Sequence, residues 1–459
     1  MSRFDIPSAC FSRLLAGFFF SFALLFFCGQ TPVQGEEIKV RNGESIQKAI
    51  DQSQPGDVLE IAPGVYRERL EITKAIAIKG KDGAIIDGAA KGSVITITGS
   101  GVLVEGLAVQ NSGVQQEDSG IYVKKGNGNV IKQNTFKNVH NGIYIANSKD
   151  NQVLENTISS YESHFSKRGN GIHLFKGGKH LIKGNEISEV QDGIYYDFTS
   201  QIHAAENHIF NSRYAMHFMF SGDVKADRNM IEKNITGFMV MDSEKIDFTA
   251  NVVSDHFHFR GFGIIIYESK DILIERNEIL RNSTGLSLEH GGNTLTRRNM
   301  IAANQVGLEF RGENKDNIFS ENNFIGNVVQ SKISGTDMRL DDGRKGNYWD
   351  DYSSFDLSGD GIGEEAYKAG SLYDRLLQKQ PYWQFFFESP SVKLWTKAES
   401  LFPTFGTVDI YDARPLTEPV PMMAKQDRRR SEGPPIPLMA GMLFMIVSLF
   451  VIVKGRKLL

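Results

Sequence analysis

Two short stretches carry the side chains best suited to chemistry. "YAMHFMFSGD" (214–223) places His217 and Met219 at alternate positions, and "TGFMVMDSEK" (236–245), 22 residues further on, places Met239 and Met241 in the same way. Thioether sulfur and imidazole nitrogen together suit Cu(I). Alternation puts each pair on one face of a strand. Whether the two pairs meet depends on the elements that carry them.

A repeat supplies those elements. Asn-x-apolar recurs at Asn134, Asn156, Asn185, Asn207, Asn229, Asn251, Asn277, Asn299 and Asn323. Small-apolar-x-apolar recurs at Gly120, Gly142, Gly171, Gly193, Ala215, Gly237, Gly263, Gly285 and Gly307. The period is 22 residues, stretched to 29 before Gly171 and to 26 before Gly263, and the extra residues fall between Asn and Gly. Period-2 runs of three to five residues read as strands. So short a unit buries its apolar face only by stacking on its neighbours. The chain therefore reads as all-β: a right-handed parallel β-helix, a pectate-lyase-like solenoid of 22-residue coils. A leucine-rich horseshoe has a similar period, but the Leu spacing it needs is absent. Residues one and three after each Gly are expected to point inward, Gly to relieve the backbone at a corner, and the Asn residues to stack as a ladder. "SIQKAIDQSQPGDVLEIAPGVY" reads as an amphipathic helix, a turn and a first strand that cap the open end.

Residues two and four after Gly face outward. The second-position column reads Tyr122, Tyr144, His173, Tyr195, His217, Met239, Ile265, Ser287, Glu309; the fourth includes Asp197, Met219 and Met241. Coils stack about 4.8 Å apart and alternate residues lie about 6.6 Å apart, so His217, Met219, Met239 and Met241 form a compact square. The two insertions, with His164 in one and His256 and His258 in the other, are expected to stand as walls on either side. The candidate metal set is His217, Met219, Met239, Met241, His173, His256 and His258, holding copper transiently, Cu(I) favoured. An outward apolar column equally suits a protein interface or packing beneath loops. His140, His180, His203 and His208 fall at scattered positions and read as surface or turn residues. For acid–base work the middle coils offer only His173, Tyr195 and Asp197, so a β-helix lyase, epimerase or hydrolase acting on an acidic polysaccharide is the alternative, and no catalytic residue is assigned.

The rest of the chain bounds the context. A net charge of −4 gives no basic field for nucleic acid. Residues 1–35 read as a signal peptide cleaved before Glu36, and both cysteines, Cys10 and Cys28, lie inside it. A mature chain without Cys has no disulfide and no thiolate for a metal. The solenoid with its cap is expected over 36–345, a helical or irregular tail over 346–420, a linker over 421–435, and a transmembrane helix over 436–453 followed by Lys454, Arg456 and Lys457. That places the body in the periplasm, anchored to the inner membrane. Residues 371–402, dense in Trp and Phe, are expected to form helices that dock a membrane permease or cap the solenoid. "DLSGDGIGEE" (356–365) has acidic residues at intervals like a Ca²⁺ loop but misses the twelve-residue rule, and reads as a tight Gly-rich turn.

"GNYWDDY" (346–352), "DLSGDGIGEEAY" (356–367), "SLYDRLL" (371–377) and "ARPL" (413–416), together with the export signal and the coils, resemble the NosD family over nearly the whole mature chain. The resemblance implies a periplasmic accessory protein, not an enzyme, for copper-site assembly of nitrous-oxide reductase. It implies work with an ABC transporter (permease and ATPase) and a copper-chaperone lipoprotein. It carries over no ligand residues. The C-terminal membrane helix departs from the typical member.

Overall fold

The computed structural model describes residues 35–368 apart from 162–163, 260 and 336–337, then isolated positions between 383 and 394, and 410–422. A regular coil contains three strands, as in Tyr214–Met219, Gly222–Asp227 and Met230–Glu232, and the next coil repeats them as Thr236–Met241, Glu244–Thr249 and Val252–Ser254. The first two strands of every coil join one 24-stranded sheet and the third joins a 13-stranded sheet. Every pairing in both is parallel and in register, for example Met216↔Phe238 and Phe218↔Val240. The parallel β-helix follows from the repeat as expected.

The core is built of columns. Ile194, Met216, Phe238, Ile264, Leu286 and Leu308 stack inward, as do Tyr196, Phe218, Val240, Ile266 and Leu288, all fully buried. Tyr196 and Phe218 lie parallel at 4.4 Å. The helix Ile46–Gln52 closes the N-terminal end by burying Ile46 and Ile50. Its N-terminus is satisfied by Ser45, which accepts from Lys48 N, and by Glu68, which accepts from Ile46 N at 2.7 Å.

Corners follow a different rule from the expected one. Gly193 and Gly237 are not in the left-handed region; they are small because the next coil is close. A Cβ on Gly193 would meet Ala215 O and Ile209 Cγ2, each at 2.5 Å. The bends themselves fall on left-handed non-glycine residues such as Phe220, Asp223, Arg228 and Lys233. Each such residue costs about 1 kcal/mol or more, offset where its N–H reaches the next coil, as Arg228 N does to Thr249 O at 3.1 Å.

The asparagines form the ladder. Each Asn N–H donates to the Asn Oδ1 of the next coil through Asn134, Asn156, Asn185, Asn207, Asn229, Asn251, Asn277, Asn299, Asn322 and Asn347. The ninth rung is Asn322, not the expected Asn323: Asn323 is in register with Met300 and bonds Val420 instead. A second ladder runs Ser212, Asn234, His256, Asn282, Asn304, and here an imidazole Nδ1 takes the place of the amide oxygen, accepting from Asn234 N at 3.1 Å. His180 likewise accepts from Asn151 N at 3.2 Å, so it is a buried rung rather than a surface residue.

"GNYWDDY" and "ARPL" meet at the C-terminal end. Asp412 Oδ2 accepts from Asn347 N, Asn347 Nδ2 and Trp349 Nε1, and so terminates the Asn ladder. Trp349 is fully buried between Phe324 and Tyr367, with ring centroids 4.1 and 4.4 Å away. Asp356 closes the glycine-rich turn by accepting from Gly359 N and Gly361 N. Among the described residues no helix is long and apolar enough to cross a membrane. The expected signal peptide 1–35, apart from Gly35, the expected transmembrane helix 436–453 and nearly all of 371–402 lie outside the described residues.

Burial lowers the pKa of His256 to about 3 and that of His180 to about 4. In the unfolded chain an imidazole takes up a proton below about 6.5. Each buried neutral rung therefore contributes stability that is fully present above that pH and is lost as pH falls. His256→Asn keeps the rung through its Oδ1 and removes one of the two groups. On going from pH 7 to pH 5 the variant should lose about 2 kcal/mol less stability than the parent chain. Urea denaturation at the two pH values measures this, and equal losses would refute the assignment.

Candidate functional site

The register brings the sequence-predicted donors together. His217 pairs with Met239 and Met219 with Met241 on adjacent strands, so the four occupy neighbouring positions outside the core. Each chain run is held from both sides. The inward neighbours Met216, Phe218, Phe238 and Val240 anchor the strands in the core, and Ser221 and Ser243 fasten the strand ends by donating to Met219 O and Met241 O.

The face is less open than alternation alone implies. His217 is only 8 % exposed and the three methionines are half-buried. The reason is a ladder of rings: Tyr122, Tyr144, His173, Tyr195 and His217 pack in sequence with centroids 4.6–5.0 Å apart, edge-on between Tyr144 and His173 and stacked between Tyr195 and His217. The ladder ends at His217, where thioethers take over. Tyr195 lies between His173 and His217, so His173 belongs to the same column but two coils away from the square. The Tyr195 hydroxyl donates to Met219 Sδ at 3.2 Å.

The two loop histidines are placed elsewhere. His256 is fully buried as a ladder rung. His258 is exposed and stacks on Phe259 at 4.4 Å. Both insertions reach the coils on either side of them. Tyr161 in the first donates to Ser112 O and Gly113 O, towards the N-terminal coils, and Gly169 O accepts from Gln191 N, towards the middle coils. In the second, His258 O accepts from Ser283 Oγ, towards the C-terminal coils, and His256 Nδ1 accepts from Asn234 N of a middle coil.

Two residues escaped the reading by pattern. Asp192, one position before Gly193, is fully buried; its Oδ2 lies 2.9 Å from His217 Nδ1. Arg213 clamps the same carboxylate through two bonds of 2.8 and 2.7 Å. Burial pushes the Asp192 carboxyl up, but the hydrogen bonds from His217 and Arg213, with the Arg213 charge, outweigh it and hold it below the ordinary carboxylate value. The available signal was positional: Asp192 and Tyr214 are register partners, so a residue just before one coil's small residue lies beside the next coil's outward column. A groove of about 1090 Å³ also begins where Met219 and Met241 end; its apolar end is the exposed, stacked pair Phe198 and Phe220.

As acid–base machinery the face is poorly set. Burial, with Asp197 and Asp192 nearby, pushes the Tyr195 phenol up to about 12, so it stays protonated and donates to sulfur. His173 Nε2 lies 3.8 Å from Asp197 Oδ2, beyond hydrogen-bond reach. Among the described residues no three His, Cys, Asp or Glu side chains converge on one point. A metal on this face would have to be held by thioether and imidazole. Tyr195→Phe keeps the ring stack and removes the bond to Met219; it should cost about 0.5–1.5 kcal/mol in urea denaturation, and no loss would mean the hydroxyl contributes nothing to ordering Met219.

Comparison with known proteins follows the same line. A family model described as "Periplasmic copper-binding protein (NosD)" matches residues 69–162 and 154–354. A Pseudomonas aeruginosa protein named "Probable ABC transporter binding protein NosD" is 31% identical over 78% of this chain and 87% of its own length. One of the same name from Stutzerimonas stutzeri is 29% identical over 77% and 85%. Among solved structures, the mannuronan C-5 epimerase AlgE4 A-module of Azotobacter vinelandii superposes with a TM-score of 0.51 at 13% identity, covering 63% of this chain and 94% of that one. A mannuronic acid specific polysaccharide family 6 lyase from human gut microbiota gives 0.52 at 14%, covering 68% and 86%. At such identity these two show the fold alone.

Proposed function

The chain belongs to the NosD family of periplasmic copper-binding proteins, and from that premise we propose that it delivers copper for assembly of the copper sites of nitrous-oxide reductase. Copper is the cargo, taken as Cu(I) by His217, Met219, Met239 and Met241 and released again. The observation that supports this reading most is the in-register meeting of one imidazole and three thioethers on adjacent coils, the donor types that suit Cu(I). The P. aeruginosa and S. stutzeri relatives carry ABC transporter binding in their names, and the proposal extends to an ABC transporter permease and ATPase and a copper-chaperone lipoprotein as partners of this chain. Residues 436–453 would hold the periplasmic body at the inner membrane.

Leucine keeps the volume and apolarity of methionine at a cost under about 1.5 kcal/mol. Cells carrying Met239→Leu with Met241→Leu should export a folded protein yet make reductase short of copper, read as metal per reductase after purification. Full copper loading would sink the role of the square. The accessory role also excludes turnover of sugars: the purified chain should release no unsaturated product from uronate polymers, and release abolished by Tyr195→Phe would establish an enzyme instead.

A further inference from the structure

We infer that Asp192, clamped by Arg213, is the positioning residue that turns His217 into a metal donor, fixing the proton on Nδ1 and leaving the Nε2 lone pair for a soft monovalent cation. The inference rests on the copper reading above.

Three observations carry it. The first is the bond itself. A carboxylate can only accept, so at 2.9 Å from Asp192 Oδ2 the proton must lie on His217 Nδ1. With the proton there, the neutral tautomer of the ring has Nε2 as a bare lone pair, and a carboxylate behind the ring raises its basicity, the arrangement typical of metal-bound histidine. The second is that His217 Nε2 is buried and has no hydrogen-bond partner among the described residues. A buried polar atom left unpaired costs about 1–3 kcal/mol, a cost that a bound cation would cancel. The third is that the ring cannot easily turn to find another partner. Tyr195 stacks on one face at 4.7 Å and 20°, and Tyr214 meets it edge-on at 5.2 Å and 80°.

Charge narrows the class of cation. Thioethers and a neutral imidazole bring no charge, and the Asp192 carboxylate is already matched by Arg213 at 2.7 Å. A divalent ion would sit half-buried with two charges to compensate, whereas Cu(I), or Ag(I) as its redox-inert analogue, leaves one. Arg213 has a second task here. Its Nε bonds Oδ1 and its Nη2 shares Oδ2 with the imidazole, so two bonds keep the carboxylate from rotating away when His217 takes a ligand.

Asp192→Asn is the discriminating variant, because it is nearly isosteric. Its amide oxygen, in the Oδ1 position, still accepts from Arg213 Nε, while its NH₂, in the Oδ2 position, gives up the bond from Arg213 Nη2, donates to His217 Nδ1 and drives the ring proton to Nε2, where it blocks coordination. The full chain is purified anaerobically in detergent, and Cu(I) affinity is measured by competition with a chromophoric Cu(I) chelator. The protonated nitrogen of His217 is read from ¹⁵N imidazole shifts, assigned with His217→Gln. Expected are a loss of about 10- to 100-fold in affinity for Asp192→Asn, a proton moved from Nδ1 to Nε2, and a smaller loss with unchanged tautomer for Arg213→Gln. Unchanged affinity or an unchanged tautomer in Asp192→Asn, while His217→Gln weakens binding, would overturn the positioning role. If Asp192→Asn does not fold, the parent chain decides: a proton on Nε2 overturns the inference and one on Nδ1 supports it. Should His217→Gln and the Met239/Met241 leucine pair both bind Cu(I) like the parent, the copper reading itself fails and takes this inference with it.

Discussion

Register between coils is the constraint from which the other features descend. Two parallel sheets hold each strand to its neighbours above and below, and the Asn ladder adds a side-chain bond at the same turn of every coil. Because the side-chain period in a strand is two, slipping one coil by a single residue would throw its core column outward and its outer column inward. The Asn rung penalises such a slip independently: a displaced Asn leaves a buried amide and a buried backbone N–H unpaired. Ten rungs in line make the register a property of the whole stack rather than of any one pair. That is why residues 22 apart can be treated as spatial neighbours, and why a site can be assembled from them.

The outer column shows what such a stack does with polar and soft side chains. Rings placed one coil apart pack against one another, and in the Tyr144–His173–Tyr195–His217 run all but the half-buried Tyr195 are buried although the column faces away from the core. Inside such a column a histidine cannot rely on water for its second nitrogen. Each imidazole must find a partner on the protein, hold a ligand, or bear the cost. His256 and His180 found partners by standing in for asparagine. His217 Nδ1 lies at the Asp192 carboxylate, and its Nε2, like those of His256 and His173, has no hydrogen-bond partner among the described residues. What sets His217 apart is its outward place in register with Met239, on the strand that also carries Met219.

Much of this could be read from the chain by alignment of its own repeats. The inward columns, the outward columns, and the pairing of His217 with Met239 and of Met219 with Met241 follow from counting. What counting could not reach was anything decided by contacts between positions of different phase. Asp192 belongs to the corner before one strand yet serves a histidine on the next coil. Asp412 lies far along the chain yet ends the ladder through Asn347 and Trp349. The glycines were read as bend-formers from their usual conformational role, whereas at Gly193 and Gly237 it is the approach of the neighbouring backbone that excludes a side chain. His256 was grouped with the site because its loop flanks the site, but the Asn-to-Asn spacing of the second ladder, Asn234 to Asn282 with His256 between, was a signal that placed it inside.

A solenoid is a reasonable body for passing on a metal because it separates rigidity from exposure. Side chains on adjacent parallel strands are fixed by two sheets and a ladder, so donors can be pre-placed without a closed cage, and the methionines here stay half-exposed beside a buried His217. A cage of thiolates would hold Cu(I) too firmly to yield it; neutral thioethers with a single oriented imidazole bind more weakly and can give way to a receiving site. The insertions fit the same logic. Each is anchored to an outer coil, through Tyr161 in the first and Ser283 in the second, as well as to the coils between them. The groove lined by Phe198 and Phe220 adjoins the strand ends that carry Met219 and Met241, which places exposed aromatic surface beside the thioether column. On the copper reading, donors held by the strands would meet a receiving surface there without rearrangement of the coils.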